Sequence, residues 1–341
     1  MTLKEIAQMA GVSRGTVDRV LNNRGAVNPE TAEKIRRIAL AVNYTPNLAG
    51  KTLAVRKKQL KFGFVLFNTY SNPFFADVMQ GIEDRKEALK EYGVQVEVRH
   101  SELDNPELQS AQIDELVAAG INGLAITPIN HPIVVSKLKE LAAKHIPVVT
   151  SNSDIPDCGR IAYVGSEYYK SGITAAGLMN MVCQGQAQVG VVLGSSQVLC
   201  HSERVAGFTD RIQACYPNIR IIDTVANQDD DLESYAVTSK MLLAHPEIDA
   251  LFLAAAGVSG ACRAVVDTKR YGQIKVISYD TTPSTCKLIE SGAIVATIAQ
   301  QPFTQGAKPL DILLDYLGMD IPPEREFYYT KIEIKIRENI E

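Results

Sequence analysis

The chain has 341 residues, enough for two or three domains with real cores, and its 46% hydrophobic and 22% charged content is that of an ordinary soluble globular protein. No apolar run approaches the roughly 18–20 residues that span a bilayer, and the opening MTLKEIAQMAG is short, amphipathic and interrupted by Glu5, so neither a membrane anchor nor a secretion signal is expected. The net charge of −4 conceals an asymmetry. Residues 1–58 hold eleven Lys and Arg against four Asp and Glu, and the remainder holds 24 against 35, so only the head suits a polyanion.

The head reads as three short helices. Thr2-Leu-Lys-Glu5 has capping-box spacing, Ile6, Ala7 and Ala10 turn inward, and Gly11 can take the left-handed conformation that ends a helix. Ser13 is placed to cap a second helix, with Arg14 and Gly15 in its first turn and Val17, Val20 and Leu21 on one face. A third helix is expected from Asn28-Pro29, with Ile35, Ile38, Ala39 and Val42 closing a small core. Two short helices joined by a glycine turn make a helix-turn-helix. The free face of the second helix carries Arg14, Gly15, Asp18 and Arg19, and its N-terminal residues can meet base edges in a DNA major groove. Arg14 and Arg19 can reach guanine edges or phosphates. Asp18 either accepts from a cytosine amine or orients one of the two arginines. Amphipathic helical hairpins with a few arginines are common, so the pattern alone does not decide the matter.

The stretch from Thr2 to Ala54 resembles the DNA-binding head of the lactose-repressor (LacI/GalR-type) family. The resemblance rests on TLKEIA, AGVS, TVDRVLN, TAEKI and NYTPNLAGKTL. Asp18 departs from it, since the family usually has serine there, which bears on the operator sequence and not on binding. The resemblance implies DNA contacts from Thr2, Ser13, Arg14, Gly15, Thr16, Asp18, Arg19, Asn22, Asn47 and Leu53, with Arg14, Gly15 and Arg19 reading bases. It also implies that residues 47–59 form a hinge helix when two subunits meet on DNA, with Leu53 as the apolar wedge in the minor groove. Gly50 stands where the family usually has alanine, which costs a helix roughly 1 kcal/mol, so this hinge is expected to fold reluctantly off DNA. Arg56, Lys57 and Lys58 either follow phosphates or form a solvated basic linker.

Beyond residue 60 apolar runs alternate with helical patterns. KFGFVLF (61–67), VQVEVRH (94–100), GLAITPI (123–129), IPVVTSN (146–152) and IAYVG (161–165) read as strands, and Phe75–Tyr92 as an amphipathic helix. AQVGVVLG (187–194), IDALFLA (248–254) and IKVISYD (274–280) repeat three of these strands at an offset close to 127 residues, which implies two similar α/β lobes with parallel sheets. Ligands of such sheets bind beyond the carboxyl ends of the strands, here in the cleft between lobes.

The body resembles the sugar-binding core of the same family and the periplasmic ribose/galactose-binding proteins, on NPFF (72–75), ERVAGF (203–208), YD (279–280) and TIAQQP (297–302). The resemblance implies a helix-turn-helix domain at 1–46, a hinge at 47–59 and a two-lobed effector and dimerisation core at 60–341. The N-lobe is then expected at about 60–160 and 291–322, and the C-lobe at about 161–290 and 323–341. It implies ligand contacts from Asn72, Phe74, Phe75, Asn152, Arg204, Asp280 and Gln300. Aromatic faces can cover a sugar ring, and the polar groups can bridge its hydroxyls. Three have a plainer reading: Phe75 packs the first helix of the body, Asp280 caps the helix after it, Asn152 holds its own loop; Gln300 and Arg204, which both follow strands in the cleft, are less easily dismissed. Asn152-Ser153 replaces a common Asp-Arg, and the apolar AAAG (254–257) replaces a common Asn-Asp, so a polyol, a modified sugar or a ligand with an apolar arm fits as well as ribose.

Other signals are weak. The six cysteines (158, 183, 200, 215, 262, 286) lack CxxC spacing and are expected to be reduced. The five histidines lack metal-ligand spacing, and His201, near Arg204, is read as a loop residue with no site role, the alternative being a ligand contact. NQDDDLES (227–234) lacks the glycine and terminal glutamate of a calcium loop and is read as a solvated loop. GVVLGSSQ has no P-loop ending, and no acid–base pair or nucleophile elbow appears, so neither an enzyme, a cofactor nor a metal is expected. The expectation is a sequence-specific DNA-binding transcriptional regulator. It should be a homodimeric, cytoplasmic, nucleoid-associated repressor whose operator affinity a small sugar or polyol controls, as inducer or corepressor. A tetramerising tail is not expected after YYTKIEIKIRENIE. The alternative is a solute-binding protein of a sugar uptake system, which would lack the basic head and carry an export signal.

Overall fold

The computed structural model describes residues 2–21, 27–42, 44, 48–68, 72–102, 105–195 and 198–340. The head contains α1 (Leu3–Ala10), α2 (Arg14–Leu21) and α3 (Pro29–Ala41). Thr2 and Glu5 form the reciprocal capping box, and Gly11 ends α1 with φ of 69°. Ser13 Oγ accepts from the Thr16 amide at 3.1 Å at the start of α2, and Asn28 Oδ1 accepts from the Glu30 amide at 2.9 Å at the start of α3. Ile6, Ala7, Ala10, Val17, Val20, Ile35 and Ala39 are buried together. Val42 lies only at the edge of this core, as the cap of α3.

α4 (Leu48–Lys58) runs continuously through Gly50, where a weakened helix was expected. Its last turns are held by the body, which offsets the cost of the glycine. Val55 is buried in the N-lobe core, Arg56 Nε donates to the Glu91 carbonyl at 2.8 Å, and Lys58 Nζ donates to the Leu317 carbonyl and pairs with Asp320. Arg56 and Lys58 are thus tied to the protein and do not form a free basic linker.

The body continues in chain order with β1 (Lys61–Phe67), α5 (Phe74–Leu89), a 3₁₀ turn at Lys90–Tyr92, β2 (Gln95–Ser101), α6 (Pro106–Ala118), β3 (Gly123–Ile126), α7 (Pro132–Ala143), β4 (Val148–Ser151) and β5 (Ala162–Gly165). Then come α8 (Tyr168–Val182), β6 (Ala187–Leu193), α9 (Leu199–Cys215), β7 (Ile219–Ala226), α10 (Asp231–Ala244), β8 (Ala250–Leu253), α11 (Val258–Asp267), β9 (Lys275–Tyr279), α12 (Pro283–Glu290) and β10 (Ala296–Ala299). The chain closes with α13 (Pro302–Leu313), a π-type turn at Leu314–Gly318, β11 (Phe327–Tyr329) and β12 (Glu333–Lys335).

Two six-stranded sheets result, in the orders β11-β5-β4-β3-β1-β2 and β12-β10-β9-β8-β6-β7. All pairs are parallel except β10 with β12. The inner strands are buried on both faces, which is why they read as continuous apolar runs. The lobe crossings fall after β5, after β10 and after β11, later than the expected 160, 290 and 322. Residues 162–165 and 327–329 belong to the N-lobe sheet and 296–299 to the C-lobe sheet, because membership follows register: Ala162 pairs with Val149, Phe327 with Tyr163 and Ala296 with Ile277. α5 and α13 approach closely in the N-lobe, as α8 and α9 do in the C-lobe. A Cβ on Gly306 would overlap the Val78 carbonyl, and one on Gly172 the Arg204 carbonyl.

Candidate DNA-reading face and interlobe site

On α2 the apolar residues face the head core and leave Ser13, Arg14, Gly15 and Arg19 exposed, with Thr16 and Asp18 half-buried. The Ser13 and Thr16 hydroxyls lie 2.9 Å apart, and Arg19 Nε reaches back to the Gly15 carbonyl at 3.3 Å. Thr2 is exposed at the start of α1. Leu53 is 57% exposed on α4, opposite the buried Val55. The expected contacts Asn22 and Asn47 lie outside the described residues.

The second site lies where strands of both lobes end. Asn152 follows β4, Asp280 follows β9 and Gln300 follows β10, while Arg204 stands one turn into α9, beyond β6. Asn152, Arg204 and Gln300 are buried, and Arg204 is only 4% exposed. A chain of contacts joins them. Asn152 Nδ2 donates to Gln305 Oε1 at 3.0 Å, Gln305 Nε2 to the Gln300 carbonyl at 2.8 Å, and Gln300 Nε2 to Asp280 Oδ1 at 2.8 Å. From the other side the Tyr168 and Tyr163 hydroxyls donate to the Asn152 carbonyl. The Arg204 guanidinium lies over the rings of Tyr279, at 3.9 Å, and Tyr168, at 5.1 Å, and donates to the Ala254 carbonyl at 2.9 Å. Burial pushes the Asp280 carboxyl up, against the pull of Arg204 and the Gln300 hydrogen bond. Thr282, not Asp280, caps α12.

Two buried polar atoms in this network have no hydrogen-bond partner: Arg204 Nε and Gln300 Oε1. Buried polar groups are nearly always satisfied, and at the meeting of the two lobes these two are left able to bond a polar ligand. The remaining expected contacts sit differently. Asn72 Oδ1 accepts from the Phe74 amide at 3.0 Å, and Phe74 and Phe75 lie in the N-lobe core, with Phe75 edge-on to Phe67.

Several residues that sequence reasoning passed over belong to the network. Tyr163, Tyr168, Tyr279 and Gln305 line it. His201 is a buried residue of α9, not of a loop, and its Nδ1 accepts from the Ser195 amide at 3.2 Å. The 227–234 stretch is only partly solvated. Asn227 is buried, its Nδ2 donating to the Ala256 carbonyl at 2.7 Å, while Asp229 Oδ1 accepts from the Ala256 amide at 3.0 Å. The pair holds the alanine loop whose carbonyl serves Arg204. Position marks only Tyr168, Asn227 and Asp229, which come soon after β5 and β7; Tyr163 and Tyr279 lie within strands, and Gln305 and His201 within helices, where position gives no such signal. Among the described residues no group of three His, Cys, Asp or Glu could hold a metal, and no helix is long and apolar enough to cross a membrane. All six cysteines are free.

A helix-turn-helix head on a two-lobed α/β receptor defines a DNA-binding regulator governed by a small molecule. Comparison with known proteins agrees. Residues 2–47 match the bacterial regulatory proteins of the lacI family, and residues 62–319 match the periplasmic binding protein domain. The chain belongs to the lacI family of bacterial transcriptional regulators, with a periplasmic binding protein domain as its core. It is 25% identical to the HTH-type transcriptional regulator DegA of Bacillus subtilis over 91% of this chain and 87% of that protein. It is also 25% identical to the ribose operon repressor of Halalkalibacterium halodurans, over 99% and 96%. Among solved structures it is similar to AraP, an arabinose binding protein from Geobacillus stearothermophilus, with a TM-score of 0.71 and 27% identity over 83% of this chain and 98% of that one.

Proposed function

We propose that the protein is a homodimeric repressor acting on DNA in the cytoplasm, and that a small neutral sugar or polyol held between the lobes changes its grip on a near-palindromic operator. One head reads a half-site, so two heads related by a two-fold axis are needed for the full site. Arg14, Gly15 and Arg19 serve as the base readers and Leu53 as the minor-groove wedge, their exposure leaving them free to do so. The observation that carries the effector reading is the pair of orphaned atoms, Arg204 Nε and Gln300 Oε1, buried at the junction of the lobes. The ends of the network offer donors from Arg204 and Asn152 and acceptors from Asp280 and Gln300, an assortment suited to hydroxyls. The likeness to a ribose operon repressor and an arabinose binding protein supports a sugar. The solute-binding alternative accounts for the core alone and leaves the 2–47 match without a role.

The test is selection of duplexes from random DNA on the full chain, then titration of the selected site with and without D-ribose, D-arabinose and their polyols. The expected result is a palindromic site whose affinity changes with one of these ligands. Log affinity should fall with log salt at a slope near −0.9 for each phosphate neutralised. A flat salt response, or no preference over bulk genomic fragments under any condition, would sink the reading.

A further inference from the structure

Gln305 lies on the apolar stripe of α13 that also carries Pro309, Leu310 and Leu313, and it is wholly buried. A leucine or methionine would pack there without a polar group to satisfy. The amide is instead used at both ends, each toward a different lobe. Nε2 donates to the Gln300 carbonyl at 2.8 Å, at the end of the C-lobe strand β10, and Oε1 accepts from Asn152 Nδ2 at 3.0 Å, just past the N-lobe strand β4. Its own carbonyl accepts from Ser151 Oγ at 2.6 Å. The side chain therefore bridges the lobes at the second crossing, and both residues it grips face the interlobe network. With the Gln300 main chain held by Gln305 and its Nε2 spent on Asp280, the orphaned Oε1 is left for a ligand.

We propose that Gln305 is a positioning residue of the effector site, a clasp that sets the spacing of Asn152 from Gln300 and so the size of ligand that can satisfy both. This rests on reading the interlobe junction as the effector site, although the clasp itself is made of the protein's own contacts. The side chain touches no ligand in this account; it acts through the two residues it holds.

The experiment uses the full chain with Gln305→Met, Asn152→Ala and the double variant. Without added sugar, hydrogen exchange read by mass spectrometry should quicken about tenfold in segments 148–156 and 296–305 and stay unchanged in 187–193, since a local opening frees only the segments that the clasp joins. In calorimetric titrations with D-ribose and D-arabinose, the sugar that binds wild type should bind Gln305→Met about tenfold more weakly, and the double variant should lose clearly less than the product of the two single losses, since Gln305→Met then acts through Gln300 alone. Sugar affinity unchanged by Gln305→Met, or losses that multiply independently in the double variant, would overturn the proposal. If neither sugar binds wild type, the reading of those sugars as effectors fails, and the exchange data still decide the clasp: quickened exchange at the two segments upholds it, unchanged exchange removes it. Gln305→Glu, which keeps the acceptor facing Asn152, replaces the methionine variant should the latter not fold.

Discussion

A carboxylate buried beside a guanidinium gains from the pair and loses from leaving water. At Asp280 the loss prevails, since burial raises its carboxyl above the ordinary 3.8 despite Arg204 and the Gln300 hydrogen bond. The folded protein thus holds that proton more tightly than the unfolded chain does. The associated stability is complete below about pH 3.8 and is lost as pH rises through the raised value. Asp280→Asn keeps an oxygen for Gln300 and cannot ionise. Its melting temperature relative to wild type should therefore climb as pH rises above about 4, while its affinity for a hydroxylated effector falls. A relative melting temperature that stays level or drops over that range would show that the Arg204 attraction outweighs burial. On the head, Arg14 is exposed at the first turn of α2. Arg14→Ala should cost about 1–3 kcal/mol of operator binding and relax preference at one position of the half-site. Equal loss on random duplex would reassign Arg14 to phosphate.

At the scale of elements the site depends on how closely helices meet. Arg204 is presented by α9, and α9 touches α8 through Gly172 and Gly207, with no room for a Cβ at either. In Gly172→Ala the added methyl meets the main-chain carbonyl of Arg204, a group that cannot rotate away, so α8 and α9 must separate. The overlap should cost about 1–3 kcal/mol, seen as a lower melting temperature, together with weaker effector binding and an intact head. An unchanged melting temperature would mean that the helices give way at no cost. The same logic separates what was legible in the sequence from what was not. β1 and β6 lie in sheet interiors covered on both faces, so KFGFVLF and AQVGVVL announce themselves without reference to any partner. β7 lies at a sheet edge with most residues half-buried or exposed, and β11 and β12 span three residues each, so their strand state comes from pairing with β5 and β10 and leaves no periodic trace. Asn152, Asp280 and Gln300 could be found because they are polar residues directly after apolar strands. Gln305 could not be found that way, being a polar residue inside a helix. The available clue was that it interrupts the stripe of Pro309, Leu310 and Leu313, where a polar side chain must have a partner.

Across the whole molecule, α13 connects the interlobe network to α4. Its first turns carry Gln305 against Asn152 and Gln300, and its far end enters the π-type turn Leu314–Gly318. On that turn rests α4, through Val55 against Gly318 and through Lys58 to the Leu317 carbonyl and Asp320. If a ligand bonding Arg204 Nε and Gln300 Oε1 shifts α13, the shift would reach α4 as movement of a packed element, because close-packed interfaces rearrange between discrete states. The exposed Leu53 stands two residues before Val55 on the same helix, so any movement of α4 that displaces Val55 would displace Leu53 as well. Val55→Ala trims that contact while leaving every polar group of the effector network in place. Sugar affinity of the variant, measured by calorimetry, should match wild type, and operator affinity without sugar should drop modestly as α4 loosens. The ratio of operator affinities with and without sugar, which a coupling of about 1–3 kcal/mol would set at roughly 5- to 150-fold in wild type, should shrink toward one. Fluorescence anisotropy on the selected operator reads both affinities. If Val55→Ala keeps the full ratio, the signal does not travel through the contact of α4 with the end of α13, and movement of the lobes as rigid bodies must reach the heads by another route.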